Sequence, residues 1–180
     1  MKKSHKHSKE QPVNEALAIS PSSPQSEEVI RDFLQKHHCG VLSTADTVGN
    51  PHAAVMYYTI DSDYRLTFTT KVETQKYKNM EQNEEVMFVC YDEPTETTVQ
   101  ISGRVEKIAD PKESRDSLNA LYRLSETYSH SELPPIEKLY AGDYVSLKLI
   151  PQVIKMGIFL RPDAEENGDL YEILTFTSNA

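Results

Sequence analysis

The chain has 180 residues, the length of one domain, with 38% apolar and 26% charged residues. Its 28 acids outnumber 19 lysines and arginines, giving a net charge of −9. Without a basic stripe, this balance argues against a nucleic-acid binder, which needs clustered cations. No apolar run approaches the roughly 18 residues of a membrane span.

Residues 1–26 hold four lysines and two acids, whereas the remainder carries a net −11. The first segment is rich in Ser, Pro, Lys and His. It buries too little apolar surface to offset its ordering entropy and reads as a disordered basic tail. His5 and His7 alternate with lysines there, but two histidines without a third ligand make a weak metal site. The tail lacks the apolar stretch of a secretion leader. Two cysteines, Cys39 and Cys90, are too few for a disulfide framework or a metal cluster. The expectation is a cytoplasmic protein whose folded domain spans residues 27–180.

The run SEEVIRDFLQKHH opens with Ser26 as a helix N-cap and two acids at the positive end of the dipole. Val29, Ile30, Phe33 and Leu34 share a face, and Gly40 stands as the stop. The period then changes to two. CGVLSTA, PHAAVMYYTI and RLTFTT read as three strands of an antiparallel meander. They are joined by DTVGNP, with Gly49 and Asn50 available for positive φ, and by DSDY. A helix over VETQKYKNMEQN follows, opened by Glu73 or Thr74. EEVMFVCYD reads as a central strand and ETTVQISGRVEKIAD as a long one that Gly103 bends. From Pro111 to Ser125, Leu118, Leu121, Tyr122 and Leu124 mark a helical face. A short helix at Ile136–Tyr140 comes next, then strands DYVSLKLIP and QVIKMGIFL separated by Pro151. DLYEILTFT reads as the last strand. Seven or eight strands and two or three helices predict a mainly β, α+β fold: a small antiparallel barrel, closed or partly closed, with flanking helices.

The common catalytic patterns (G-x-S-x-G, H-E-x-x-H, the P-loop, G-x-G-x-x-G) are missing. Cys39 follows His37 and His38, but neighbouring side chains rarely face one another. Both cysteines read as buried core thiols, and His52 as a strand-edge residue. The block LTFTTKVETQKYKNM says more. A strand ends in Thr69–Thr70, and a helix begins near Thr74 with Lys76 in its first turn. Hydroxyls, free backbone N–H groups and a lysine then converge, as at phosphate sites on helix N-termini. The plainer reading, a capped surface helix with a solvated lysine, stands beside it.

Four segments occur in one order and register: FLQKHHCGVLSTAD, VGNPHAAVMYYTID, RLTFTTKVETQKYKNMEQNEEVMF and VQISGRVEKIAD. Together they resemble the pyridoxamine 5'-phosphate oxidase-like superfamily of FMN-binding split barrels, in its general stress protein-like branch. The resemblance implies a split barrel holding FMN, usually as a homodimer with each flavin between subunits. It implies that Thr69, Thr70, Thr74, Gln75 and Lys76 bind the FMN phosphate. Ala54, Val55, Met56 and Tyr57 would line the isoalloxazine, chiefly through their backbone. Gln100 would reach the ring or ribityl chain, with Thr98 on the same strand face as a neighbour.

The chain also departs from the authentic oxidase. Ala54 and Thr59 stand where the oxidase has basic residues, and Gln75–Lys76 replaces its Arg–Lys pair. The C-terminal Arg and His motif is missing after Ile158. These departures argue against pyridoxamine phosphate as the substrate. The expectation is an oxidoreductase that passes electrons or hydride through FMN between a small molecule and a nicotinamide donor, with no catalytic side chain, no metal, no nucleic acid and no membrane partner. The alternatives are a non-catalytic flavin-binding stress protein, a split barrel holding a deazaflavin or a haem ligated by His37, His38, His52 or His130, and an interaction module with a decayed site.

Overall fold

The computed structural model describes residues 24–128, 142–159 and 171–176. Helix α1 (Pro24–Lys36) leads into strands β1 (Cys39–Ala45), β2 (Pro51–Tyr57), β3 (Thr59–Ile60) and β4 (Leu66–Lys71). Helix α2 (Gln75–Gln82), strands β5 (Glu85–Asp92) and β6 (Thr97–Lys107), and helix α3 (Pro111–Tyr128) follow. Strands β7 (Tyr144–Ile158) and β8 (Tyr171–Thr175) complete the described chain. The helix expected at Ile136–Tyr140 lies outside the described residues. No helix among them is long and apolar enough to cross a membrane.

The eight strands form one antiparallel sheet in the order β2-β1-β5-β6-β7-β4-β3, with β8 also paired to β7. Its two end strands are consecutive in the chain, separated by Tyr58 alone. The backbone therefore passes from one end of the sheet to the other within a residue, which curls the sheet into a split barrel. The sequence read residues 51–60 as one strand. The break falls at Tyr58, where pairing switches from β1 to β4. Tyr58 is fully buried. Its hydroxyl meets the carbonyls of Leu34, at 3.1 Å, and of His37, occupying acceptors that the end of α1 would leave free. It accepts a hydrogen bond from the Cys90 thiol at 3.6 Å. Burial pushes the Cys90 thiol up to about 11.

Two glycines are required by close approach. A Cβ on Gly40 would lie 2.5 Å from Phe88 and 2.6 Å from the Val89 carbonyl. Gly40 thus sits inside β1 and is not the helix stop; α1 ends at Lys36. A Cβ on Gly103 would lie 2.1 Å from the Ile150 carbonyl oxygen. Here the register between β6 and β7 slips: Ser102 pairs with Val153 but Gly103 with Pro151. The expected bend is this bulge. It also accommodates Pro151, which has no N–H for a ladder. The segments expected to be separated by Pro151 are one fifteen-residue strand, β7.

The core lies inside the curl, where Leu42, Phe68, Phe88, Ile101, Leu149 and Ile154 are almost wholly buried. Helix α1 adds Ile30, Phe33 and Leu34, whereas Val29, expected among them, faces solvent. The helix starts at Pro24, within the segment read as tail. Ser26 is helical and not a cap; its hydroxyl donates to Glu172 Oε2 at 2.5 Å, tying α1 to β8. Gly49 has positive φ as expected, but Asn50 does not; its amide and backbone N–H close the turn on the Asp46 carboxylate instead. Helix α3 lies against β4 and β7, where Leu118 and Leu121 pack with Tyr57, Tyr122 and Tyr144 in a second cluster.

Candidate functional site

Helix α2 follows β4 after a three-residue turn and packs on β1 and β2 through Tyr77, Asn79 and Met80. Its N-terminus is open. The Thr74 hydroxyl, in the N-cap position, turns back to donate to the Lys71 carbonyl at 2.8 Å and caps no helical N–H. The first turn carries no acidic residue. The N–H groups of Gln75, Lys76 and Tyr77 therefore lack a capping acceptor among the described residues. Thr70 Oγ1 lies 3.2 Å from Thr74 Oγ1, so both hydroxyls stand at this corner. Lys76 is half-buried, and loss of surrounding water holds its ammonium below the ordinary lysine range. Among the described residues no carboxylate pairs with it; the nearby Lys71 is 3.6 Å from Glu73. Lys76, partly desolvated and in the first turn of α2, and the free N–H groups of that turn are of the chemical types that take an anion at a helix N-terminus.

Thr69 lies apart from this corner. Its hydroxyl is 2.8 Å from Ser146 Oγ, which in turn meets Ser114 on α3. Successive strand residues face opposite ways, so Thr69 fastens α3 while Thr70 faces α2. Gln75 is exposed, and its amide lies along the helix, donating to Asn79 Oδ1 at 2.8 Å. The Asn79 amide donates to Thr44 Oγ1 at 3.1 Å. This buried link fixes α2 on β1. The signal for Asn79 was its place one helical turn beyond Lys76 and Gln75, on the face that buries Tyr77 and Met80.

Among the described strands, β2 pairs with β1 alone and so forms an edge of the sheet. Tyr58 N donates to His38 O and Asp46 N to Asn50 O, one at each end of the β1–β2 ladder. Both bonds belong to the same alternating set, which includes Met56, Ala54 and His52. The N–H and C=O groups of Ala53, Val55 and Tyr57 consequently point away from β1, toward the open edge. Ala54 and Met56 face inward; Val55 and Tyr57 face the outer side of the sheet.

That outer side is apolar near β2. Val55 is 68% exposed, Val41 38%, Met87 42% and Tyr91 59%. Gln100 occupies the same face. Val55 pairs with Val41, Val41 with Val89 and Val89 with Gln100, three strand spacings or about 14 Å across the sheet. Cys39, expected to be buried, is exposed on this face opposite Tyr57, because β1 turns its odd residues outward; Cys90 is buried as expected.

His37 stacks on Phe33 at 4.2 Å and His38 on Tyr128 at 4.9 Å. Among the described residues the buried Nδ1 of His52 finds no hydrogen-bond partner, and His130 lies outside them. Among the described residues no group of three or more His, Cys, Asp or Glu could hold a metal ion.

A family model described as pyridoxamine 5'-phosphate oxidase matches residues 26–155. No curated protein matches the chain. Solved structures share its fold. General stress protein 26 from Bacillus anthracis is 22% identical with a TM-score of 0.54, over 72% of this chain and 92% of that one. A protein from Clostridium acetobutylicum related to general stress protein 26, of the pyridoxinephosphate oxidase family, gives a TM-score of 0.57 at 14% identity, over 84% and 95%. A haem-binding protein from Mycobacterium smegmatis gives 0.60 at 15% identity, over 85% of this chain and 59% of that one.

Proposed function

Because this chain belongs to the pyridoxamine 5'-phosphate oxidase family, we propose that it binds FMN and acts as an oxidoreductase on a small molecule, drawing on a nicotinamide donor. The observation that carries the reading is Lys76, a partly desolvated cation with no carboxylate partner among the described residues, at the open N-terminus of α2. The donor set fits the cofactor. Lys76, Thr70, Thr74 and the first-turn N–H groups would take the phosphate, and the free edge of β2 would meet the polar rim of the ring. Bound flavin supplies the electron or hydride transfer. The protein's residues bind it, orient it and exclude water, so no acid or base side chain is required.

A homodimer is part of the proposal. Val55 and Gln100 lie about 14 Å apart on one sheet face, which suits a flavin held between the β2 edge of one copy and Gln100 of another. The exposed apolar patch around Val41, Val55, Met87 and Tyr91 suits burial in such an interface. Two free thiols, Cys39 and Cys90, suit a reducing cytoplasm. The test is the visible spectrum of the purified chain after FMN addition and desalting, followed by NADH or NADPH under anaerobic conditions. Retained flavin absorbance that the donor bleaches supports the reading. A colourless protein, or a haem band with no flavin retained, overturns it.

A further inference from the structure

At the end of the outer face remote from β2, a second group of polar side chains gathers. Gln100 on β6 pairs with Lys155 on β7, and Thr98 with Gly157. Alternation places Thr98, Gln100 and Lys155 on one face. Across β7, Tyr171 of β8 pairs with Gly157. A Cβ on Gly157 would lie 3.1 Å from the Tyr171 ring and 3.2 Å from Thr98 Oγ1. The missing side chain at this position thus lets the ring lie down beside Thr98. Phe159 meets the same ring edge-on, with centroids 6.4 Å apart. Lys155 Nζ stands 3.9 Å from the Tyr171 centroid.

Among the described residues, the charge on this shelf is unbalanced. Other bases farther along β6 and β7 are paired: Arg104 with Glu106 at 2.9 Å and Lys148 with Glu113 at 2.6 Å. Among the described residues no carboxylate pairs with Lys155, and neither the Gln100 amide nor the Thr98 hydroxyl has a hydrogen-bond partner. The aromatic contact orients the ammonium without neutralising it. Gln100, assigned to the flavin by resemblance, is the residue common to this shelf and the proposed cofactor site.

We infer that Lys155, Gln100 and Thr98 form a specificity site for the carboxylate of a small aromatic acid, held beside the cofactor. A single cation with one amide and one hydroxyl, without the helix N–H groups that α2 adds at the other corner, suits a singly charged carboxylate more than a phosphate dianion. The role beside a flavin rests on the proposed function; recognition of the carboxylate does not. The test uses the full chain labelled with nitrogen-15, titrated with benzoate and with neutral benzyl alcohol, each with and without FMN. Benzoate is expected to bind about tenfold tighter or more, the scale of a charge-assisted hydrogen bond, and to shift the Gly157 and Tyr171 amides. Lys155→Met should equalise the two probes, and Lys155→Arg should keep the preference. Equal binding of the probes by the wild type, an unchanged preference in Lys155→Met, or shifts confined to other strands overturns the inference. Failure of FMN to bind in the same samples overturns the flavin reading and leaves the carboxylate result standing.

Discussion

Lys76 is costly to the empty protein and useful to the proposed complex. Its ammonium has lost water without gaining a carboxylate partner among the described residues, so its affinity for a proton is lowered. Between that lowered value and about 10.4, the unfolded chain holds more protons at this residue than the folded one. Stability of the ligand-free protein due to Lys76 therefore rises with pH across that window. FMN affinity should move the other way, falling as pH rises through the window and the cation is lost; titrations from about pH 8 to about pH 10 check the sign. Lys76→Met should leave the melting temperature of the ligand-free protein unchanged or higher. It should weaken FMN binding by about 1.5–3 kcal/mol, the worth of a charge-assisted hydrogen bond, and so remove most of the rise in melting temperature on adding FMN.

At the scale of elements, α2 works only if it is held still. Asn79 bonds Gln75 within the helix and Thr44 on β1. Asn79→Leu removes the buried donor to the Thr44 hydroxyl and should cost about 1–3 kcal/mol of stability, whereas the exposed Gln75 amide turns to water. It should also weaken FMN more than riboflavin, which lacks the phosphate; parallel titrations with the two flavins measure this. The β6–β7 bulge is the other element-scale device. Gly103→Ala forces a Cβ to within 2.1 Å of a backbone oxygen, so the strands must part; a melting temperature equal to wild type would contradict the bulge.

These elements also show what the sequence could and could not disclose. The alternation of CGVLSTA is local and marks β1 from its first residue to its last. Pro151 carries two meanings, strand break or bulge, and only the partner strand decides between them. Tyr58 looks like any strand residue until the sheet's two ends meet at it. That Thr70, Thr74 and Lys76 lie around the start of α2 was legible, because their spacing is local. Thr69 was not separable from Thr70, because Ser146, its partner, lies 77 residues away. Asn79 and Lys155 depend in the same way on partners from other strands.

On the scale of the whole molecule, the outer face of the sheet bears on assembly. A chain that leaves Val41, Val55, Met87 and Tyr91 exposed together has an apolar surface suited to a second copy. Val55→Asp should shift the protein from dimer to monomer in light scattering, weakening association by about tenfold or more. If the flavin bridges two copies, FMN affinity should fall with it; a monomeric variant with undiminished affinity would place the whole cofactor site within one copy.

The central claim is that a phosphate group is gripped where β4 passes into α2. Calorimetric titration of the wild type and Lys76→Ala, each with FMN and with riboflavin, measures that grip directly. The account predicts that the wild type prefers FMN by about ten- to a hundredfold, as a charge-assisted contact implies, and that Lys76→Ala loses the preference. Equal affinity of the wild type for both flavins, or a preference that survives in Lys76→Ala, would contradict it.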